Sequence, residues 1–168
     1  MLFNVSQLLR SPAGEARHYV LEPERPVHAG TADLVRLPGG VLVTVSADVV
    51  LDAVCSRCLA PFGYPTHIDF DEIYVQEFDA TTGVHLEPQE GEDDESFRIG
   101  ANHLIDITEA VRQYSEMATA MQPLCSPDCP GLCPECGQDL SVGGCRCERE
   151  ATDTRWSALS ALKQTLHG

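Results

Sequence analysis

The cysteine-rich stretch of this chain reads CSPDCPGLCPECGQDLSVGGCRC and occupies residues 125–147. It contains six of the eight cysteines, and the other two lie upstream in the sequence CSRC at residues 55–58. A structural zinc ion takes four ligands, which usually come as two close pairs. Six cysteines make one such site with a pair left over. The upstream pair therefore completes a second site only if metal ties the two halves of the chain together. The candidate ligands for two zinc ions are Cys55, Cys58, Cys125, Cys129, Cys133, Cys136, Cys145 and Cys147.

The pair at Cys133 and Cys136 has the sequence of a zinc knuckle. Two intervening residues let both sulfur atoms reach one ion, and Gly137 permits the positive φ of the tight turn that follows. Two divisions of the eight cysteines remain open. The first places the 55–58 pair with Cys125 and Cys129 and leaves Cys133, Cys136, Cys145 and Cys147 for the second ion. The second places Cys125, Cys129, Cys133 and Cys136 on one ion and joins Cys145 and Cys147 to the upstream pair.

Neither redox catalysis nor catalytic zinc is favoured by these motifs. A thioredoxin-type C-x-x-C opens a helix, whose dipole lowers the thiol pKa, whereas Cys58 leads into Leu59-Ala60-Pro61, a poor helix start. Catalytic zinc keeps an open coordination position, whereas four thiolates fill a site. The sequence contains no P-loop, dinucleotide fingerprint, H-E-x-x-H motif or nucleophile elbow. We therefore expect a protein that is not an enzyme and has no small-molecule substrate.

The cellular compartment bears on the choice between zinc and disulfides. The longest apolar run, residues 41–54, is interrupted by Asp48 and Asp52 and is shorter than the roughly 20 residues that span a bilayer. The N-terminus has neither a basic n-region nor a sustained apolar h-region. We therefore expect a cytoplasmic protein with no membrane partner, in a compartment where thiols stay reduced and zinc is favoured over disulfides.

The first 78 residues have the pattern of β-structure. Apolar side chains alternate with polar ones along residues 41–54, the period of a strand with one buried face. The predicted strands are residues 17–22, 31–37, 41–54 and 66–78, with a Pro-Gly-Gly turn at 38–40. Successive strands without intervening helices predict a curled antiparallel sheet or partial barrel and exclude a doubly wound fold.

The second half changes to helical spacing. Apolar residues recur at helical intervals over 107–121, Asp106 and Glu109 have the spacing of a capping box, and Pro123 ends the helix. A final helix is predicted from Asp153 to about Leu166. The predicted architecture is α+β, with a mainly β domain and one packed helix over 1–124, then a zinc-ribbon and helix over 125–168.

The charge of the chain is concentrated in one segment. The formal net charge is −15, and residues 69–95 contain eleven acidic residues and no Lys or Arg. An acidic loop is predicted at about 79–97. A solvated loop is the simplest interpretation. The alternatives are a docking site for a basic protein or an electrostatic brake on nonspecific RNA binding.

Several of these motifs together resemble the YceD family, bacterial and plastid proteins associated with accumulation of large-subunit ribosomal RNA. The matching stretches are FNVSQLL at 3–9, CSRCL at 55–59, the cysteine-rich run at 125–137 and DTRW at 153–156. The resemblance implies a role in assembling the large ribosomal subunit or stabilising its RNA. The implied partners are large-subunit ribosomal RNA, a precursor particle, or a basic ribosomal protein.

The family also bears on the two metal sites. Some members keep the first C-x2-C and a Cys or His near the position of Cys129 but lack the second set, which favours the first division. Arginines beside the zinc sites are the candidate contacts with RNA or a partner, namely Arg57, Arg146, Arg149 and Arg155.

Overall fold

The computed structural model describes residues 1–86 and 97–147. These residues form an α+β fold that is mostly β-sheet. Its elements are β1 (Leu2–Asn4), α1 (Ser6–Leu9), β2 (Ala16–Leu21), β3 (Val27–Leu37), β4 (Gly40–Val54), β5 (Pro61–Gln76), β6 (Arg98–Ile99), β7 (Leu104–Asp106) and α2 (Thr108–Ala118). None of the helices in these two ranges is long and apolar enough to cross a membrane.

The main sheet has five strands in the order β2-β3-β4-β5-β6. All neighbours are antiparallel except β5 and β6, and β1 pairs with β7 in a separate two-stranded sheet. The expectation of a curled sheet or partial barrel is wrong, because β2 and β6 lie at opposite edges of an open sheet. Closure is not needed to bury the apolar face, since helix α2 and the β1–β7 pair cover that face instead.

Strands β2 to β5 occupy the predicted positions but two of them begin earlier, and β1, β6 and β7 were not predicted. Strand β3 starts at Val27 and β5 at Pro61, whereas the sequence predicted starts at residues 31 and 66. Pro61 and Pro65 cannot donate a backbone hydrogen bond to a neighbouring strand. Along residues 61–65, β5 pairs with β4 and with no other described strand. Its other edge is therefore free of ladder hydrogen bonds there, and proline is tolerated on such an edge.

The far end of the β4–β5 hairpin extends beyond the rest of the sheet. Strand β3 pairs with β4 only as far as Val49, so residues 50–54 and 61–65 form a two-stranded extension, here called the arm. Five residues per strand give the arm a length of roughly 17 Å. The arm contains no fully buried side chain. Because an isolated hairpin is marginally stable at best, the arm needs support at its tip.

Helix α2 packs on the apolar face of the sheet through Ala110 and Val111, which are buried. The Tyr114 ring stacks on Phe70 with ring centroids 4.4 Å apart. The Tyr114 hydroxyl donates a hydrogen bond of 2.8 Å to Glu72. These contacts fix the direction in which the chain leaves the helix toward the cysteine-rich segment.

The predicted capping box forms only in part at the start of α2. The Asp106 carboxylate accepts the N–H of Thr108 at 2.9 Å, but Glu109 does not reach back to complete the box. Glu109 instead accepts hydrogen bonds from Arg112 at 2.6 and 3.0 Å. The predicted box is therefore only half formed: Asp106 accepts a first-turn N–H, whereas the Glu109 carboxylate binds Arg112 instead.

Two sequence predictions fall wholly or partly outside the described residues. The final helix from residue 153 lies beyond them, as do residues 87–96 of the predicted acidic loop. The first part of that loop forms an ordered turn. The Asp79 carboxylate accepts hydrogen bonds from the N–H groups of Thr81 and Thr82. Phe78 and His85 form an isolated antiparallel β-bridge.

Candidate metal centres

The tip of the arm is a tight turn that presents Cys55 and Cys58. The Cys55 N–H donates to the Ala60 carbonyl at 2.9 Å, and the Leu59 N–H donates to the Cys55 carbonyl at 2.9 Å. Leu59 has a φ of 59°, in the left-handed region that favours glycine. Both cysteines are buried. The turn therefore directs two sulfur atoms to the same side of the hairpin tip.

The segment that follows α2 brings the other two sulfur atoms of this first cluster. The Cys55 Sγ lies 3.8 Å from the Cys129 Sγ, and the Cys58 Sγ lies 3.7 Å from the Cys125 Sγ. All four sulfur atoms lie within 4.8 Å of one another. A tetrahedron of thiolates at a Zn–S distance of about 2.3 Å has edges of roughly 3.8 Å. The first cluster thus has the dimensions of a four-thiolate metal site.

Backbone contacts hold this segment against the arm tip. The Ser56 N–H donates to the Pro123 carbonyl at 2.9 Å, and the Leu132 N–H donates to the Arg57 carbonyl at 3.2 Å. Gly131 has a φ of 75°, and a Cβ there would lie 3.0 Å from the Arg57 carbonyl oxygen. Only glycine fits this approach without strain.

Arg57 has a structural role that the sequence did not indicate. Its guanidinium donates to the carbonyl oxygens of Pro127 at 3.3 Å and of Cys129 at 3.0 Å. Arg57 therefore joins the two halves of the first cluster from outside. Of the other candidate contact arginines, Arg146 is exposed, and Arg149 and Arg155 lie outside the described residues.

The second cluster is built within the cysteine-rich segment alone. Its turn repeats the arm tip: the Cys133 N–H donates to the Gln138 carbonyl at 2.8 Å, and the Gly137 N–H donates to the Cys133 carbonyl at 2.9 Å. Gly137 has a φ of 72°, as the sequence predicted for the knuckle. The Cys145 Sγ lies 3.2 Å from the Cys133 Sγ. The four sulfur atoms, which include those of Cys136 and Cys147, again lie within 4.8 Å of one another.

The grouping of the sulfur atoms agrees with the first of the two divisions that the sequence left open. All eight cysteines are free thiols in the structure. The first cluster takes ligands from both sides of the predicted boundary at residue 124, whereas the second cluster lies entirely after it.

The two clusters differ in burial. Three of the four cysteines in the first cluster are buried, and Ala60, Phe62, Leu124 and Leu132 pack around them as a small apolar cluster. In the second cluster Cys133 is buried, Cys136 is exposed, and the other two are half-buried. The first cluster is therefore part of the packed structure, and the second is closer to the surface.

Backbone N–H groups lower the pKa of one thiol in each cluster. The N–H groups of Cys125 and Cys58 lower the pKa of the Cys55 thiol to about 6. The N–H groups of Cys136 and Glu135 lower the pKa of the Cys133 thiol to about 6. A thiolate at each of these positions is therefore favoured near neutral pH.

The neighbouring thiols raise the pKa of a second cysteine in each cluster. Hydrogen bonding to Cys55 and Cys129 raises the pKa of Cys125 to about 12, and hydrogen bonding to Cys136 raises that of Cys147 to about 12. Four thiolates cannot coexist so close together without a compensating cation. A divalent metal ion supplies that charge, so the donor set fits a metal that prefers thiolate sulfur.

Sequence reasoning missed the left-handed residue at the arm tip because Leu59 is not a glycine. The similarity between the sequences of the two cysteine turns could have indicated it. Aligning CSRCLA at 55–60 with CPECGQ at 133–138 places Leu59 at the position of Gly137.

Comparison with known proteins decides the family. The sequence profile described as Large ribosomal RNA subunit accumulation protein YceD matches residues 43–163. The chain belongs to the YceD family. The matched range includes every cysteine of both clusters.

The relatives of this YceD-family chain include proteins of bacteria and of a plant. Uncharacterized proteins of Mycobacterium tuberculosis and Mycobacterium bovis are each 33% identical to it over 121 residues, covering 71% of this chain and 54% of theirs. The Arabidopsis thaliana protein named Large ribosomal RNA subunit accumulation protein YCED homolog 1, chloroplastic, is 25% identical over 170 residues, covering 81% of this chain and 53% of its own. The chain spans about half the length of these relatives. No solved structure matches the chain.

The different positions of the two clusters predict unequal effects of cysteine substitution. We expect wild-type protein purified without chelator to hold two zinc ions by elemental analysis. Cys55→Ser should unfold the chain or lower its melting temperature by about 10 °C or more, because loss of a structural metal is among the costliest changes. Cys145→Ser should lose one ion and only loosen the C-terminal segment. One ion or none in the wild type, or equal thermal destabilisation by both variants, contradicts this hierarchy.

Residues 59 and 137 both have a left-handed backbone conformation, one as leucine and the other as glycine. We therefore expect glycine to be the more stable residue at both positions. Gly137→Ala should destabilise the second turn by about 1 kcal/mol, because a Cβ is unfavourable at positive φ. Leu59→Gly should be more stable than the control Leu59→Ala by about 1 kcal/mol, because both remove the largely exposed leucine side chain but only glycine relieves the strain. Chemical denaturation of metal-loaded protein measures these differences. Equal stability of the two Leu59 variants would show that the strain is absent.

Proposed function

We propose that this protein promotes accumulation or assembly of large-subunit ribosomal RNA as a non-catalytic factor. The observation that carries the proposal is the family match over residues 43–163, which spans both cysteine clusters. The name of the Arabidopsis relative points to the same process. Two closed four-thiolate sites suit a protein that works through the shape of its surface.

We propose zinc as the metal in both clusters. Four cysteines in tetrahedral reach, presented by C-x2-C turns, are the usual donors of structural zinc. With all four positions filled by thiolates, no position is left for a water or a substrate. In the first cluster zinc would connect the arm to the segment after α2. In the second it would fold the ribbon that follows.

The charges of the described residues support a second candidate, a protein adaptor that docks a basic partner. The face of the sheet opposite α2, here called the open face, carries Asp33, Asp48, Asp69 and Asp71 on three adjacent strands. Two of these aspartates flank His67, whose pKa is raised by its hydrogen bond to Asp48. The open face repels RNA phosphates and suits a basic protein. The acidic segment at residues 87–95 adds to this charge along the chain.

The two candidate functions use different surfaces of the protein. If RNA is contacted directly, we propose the metal-cluster end, with Arg146 exposed there and Arg57 partly engaged in structural hydrogen bonds. Arg149 and Arg155 remain proposed contacts from the sequence. If a basic ribosomal protein is contacted, the open face and the acidic segment are the proposed surfaces.

Loss of the protein tests the assembly role. Cells lacking it should show less large-subunit than small-subunit RNA, with precursor particles that sediment below the mature large subunit. Wild-type protein and the control variant Gly143→Ala should restore the profile, because Gly143 has open space around it. Cys55→Ser should not restore it. Unaltered subunit profiles in the depleted strain, at normal and low temperature, would remove the ribosomal role.

Neutralising the open face distinguishes RNA from a basic protein as the direct partner. In the triple variant Asp48→Asn, Asp69→Asn and Asp71→Asn, capture of a basic ribosomal protein should weaken on the order of tenfold at low salt if that face docks it. Nonspecific RNA binding should rise in the same variant, because fewer negative charges repel phosphate. Glu15→Gln, an exposed change outside both the open face and the metal-cluster end, is the control. Unchanged protein capture by the triple variant rules out docking on the open face.

A further inference from the structure

A groove lies between the first strand and the edge of the main sheet. Residues 1–4 form one wall and residues 19–22 with Glu24 form the other, enclosing about 460 Å³. The rings of Phe3 and Tyr19 lie between the walls with centroids 4.9 Å apart and pack against the core. This groove, here called the edge groove, is separate in sequence from both cysteine clusters.

The β2 wall of the edge groove is an unpaired strand edge. The Arg36 N–H donates to the Glu15 carbonyl at 2.8 Å, which sets the pattern of the β2–β3 ladder. Alternate residues of an antiparallel strand bond to opposite sides. Odd-numbered residues of β2 therefore bond to β3. The backbone groups of His18 and Val20 point outward, where β2 has no neighbour among the described strands.

The opposite wall has the same property. The Ile107 N–H donates to the Met1 carbonyl at 3.1 Å, and the Val5 N–H donates to the His103 carbonyl at 3.0 Å. Odd-numbered residues of β1 thus bond toward β7, and the backbone groups of Leu2 and Asn4 turn the other way. Two strand edges whose backbone groups have no partner among the described residues therefore border one groove.

The side chains around the edge groove indicate what it would accept. Leu2 is 64% exposed and Val20 is 75% exposed, so the rim offers apolar surface to a ligand. Glu22 and Glu24 line one end and make no salt bridge within the described chain. Proteins usually protect an edge strand with a bulge, a proline or a covering element. Strand β2 has no proline, and its register with β3 is continuous.

We propose that the edge groove binds an extended segment of a basic partner protein, which adds to the β2 edge as a further strand. Its backbone would pair with the outward groups of His18 and Val20, and its apolar side chains would pack on Phe3 and Tyr19. A Lys or Arg of the segment would lie against Glu22 and Glu24. Strand addition of this kind takes affinity from backbone hydrogen bonds and specificity from alternate side chains. The proposal goes beyond the ribosomal role, because it requires neither the metal clusters nor the open face.

The test uses the full metal-loaded chain and a ten-residue probe peptide of alternating valine and lysine. Binding is measured by titration calorimetry, and amide hydrogen exchange locates it. The expected result is saturable binding that protects the His18 and Val20 amides, while the Tyr19 amide, already bonded to β3, changes little. A peptide of alternating valine and glutamate should bind at least tenfold more weakly, because Glu22 and Glu24 repel it.

A proline substitution distinguishes backbone pairing from non-specific binding of the peptide. Val20→Pro removes an outward N–H that the β2–β3 ladder does not use, so the fold is expected to tolerate it. It should weaken peptide binding at least tenfold, whereas the control Val20→Thr should bind within a few-fold of wild type. If Val20→Pro fails to fold, the same peptide N-methylated at alternate residues tests the pairing on wild-type protein and should lose binding.

Three outcomes overturn the proposal. One is the absence of saturable binding below about 1 mM. Another is binding that is equal for the lysine and glutamate peptides or unaffected by N-methylation. The third is a wild-type dimer that Val20→Pro dissociates and that excludes the peptide, which would assign the β2 edge to a second copy of this chain. If depleted cells show the large-subunit defect but the peptide does not bind, the groove proposal alone is rejected. If the peptide binds but depleted cells have unaltered subunit profiles, only the ribosomal role is rejected.

Discussion

The closure of the first cysteine cluster is the long-range contact that joins the arm to the cysteine-rich segment. The arm at residues 50–54 and 61–65 is a two-stranded hairpin with little buried surface, and such hairpins are marginal alone. At its tip, Cys55 lies 3.8 Å from Cys129, 74 residues further along the chain. Because the entropy cost of closing a loop grows with the logarithm of its length, this long-range closure costs on the order of 2–3 kcal/mol more than a local one. It connects the sheet, helix α2 and the cysteine-rich segment.

Two turns with the same backbone design serve different structural purposes. Each places two thiols on one side. The pKa of the first thiol is lowered to about 6 in both, at Cys55 by the N–H groups of Cys125 and Cys58 and at Cys133 by those of Cys136 and Glu135. The first turn is packed among apolar side chains and fastened by Arg57. The second folds a short segment near the surface. Since each cluster brings four thiols together, a metal ion there would have all four of its positions filled by sulfur.

Two surfaces of the described chain, separate from the cysteine clusters, are acidic. The open face carries aspartates on adjacent strands, and the edge groove ends in two further acidic residues. Phosphate is repelled by such surfaces, whereas a basic protein is attracted. A role in large-subunit RNA accumulation is compatible with this charge if contact is made through a basic partner, or through the arginines at the metal-cluster end.

The sequence by itself determined strands β2 to β5, helix α2, the eight candidate ligands and the family, because alternation, helical spacing and C-x2-C motifs are local signals. The short strands β1, β6 and β7 have no such signal. The sequence could not choose between two divisions of the cysteines, since spacing does not show which distant pair meets the arm tip. It also did not reveal that α2 and the β1–β7 pair cover one face of an unclosed sheet, or that Arg57 fastens the first cluster. Nor did it reveal that two strand edges, unpaired within the described residues, face each other across a groove. These features arise where residues far apart in sequence meet, and only the tertiary structure decides which of them do.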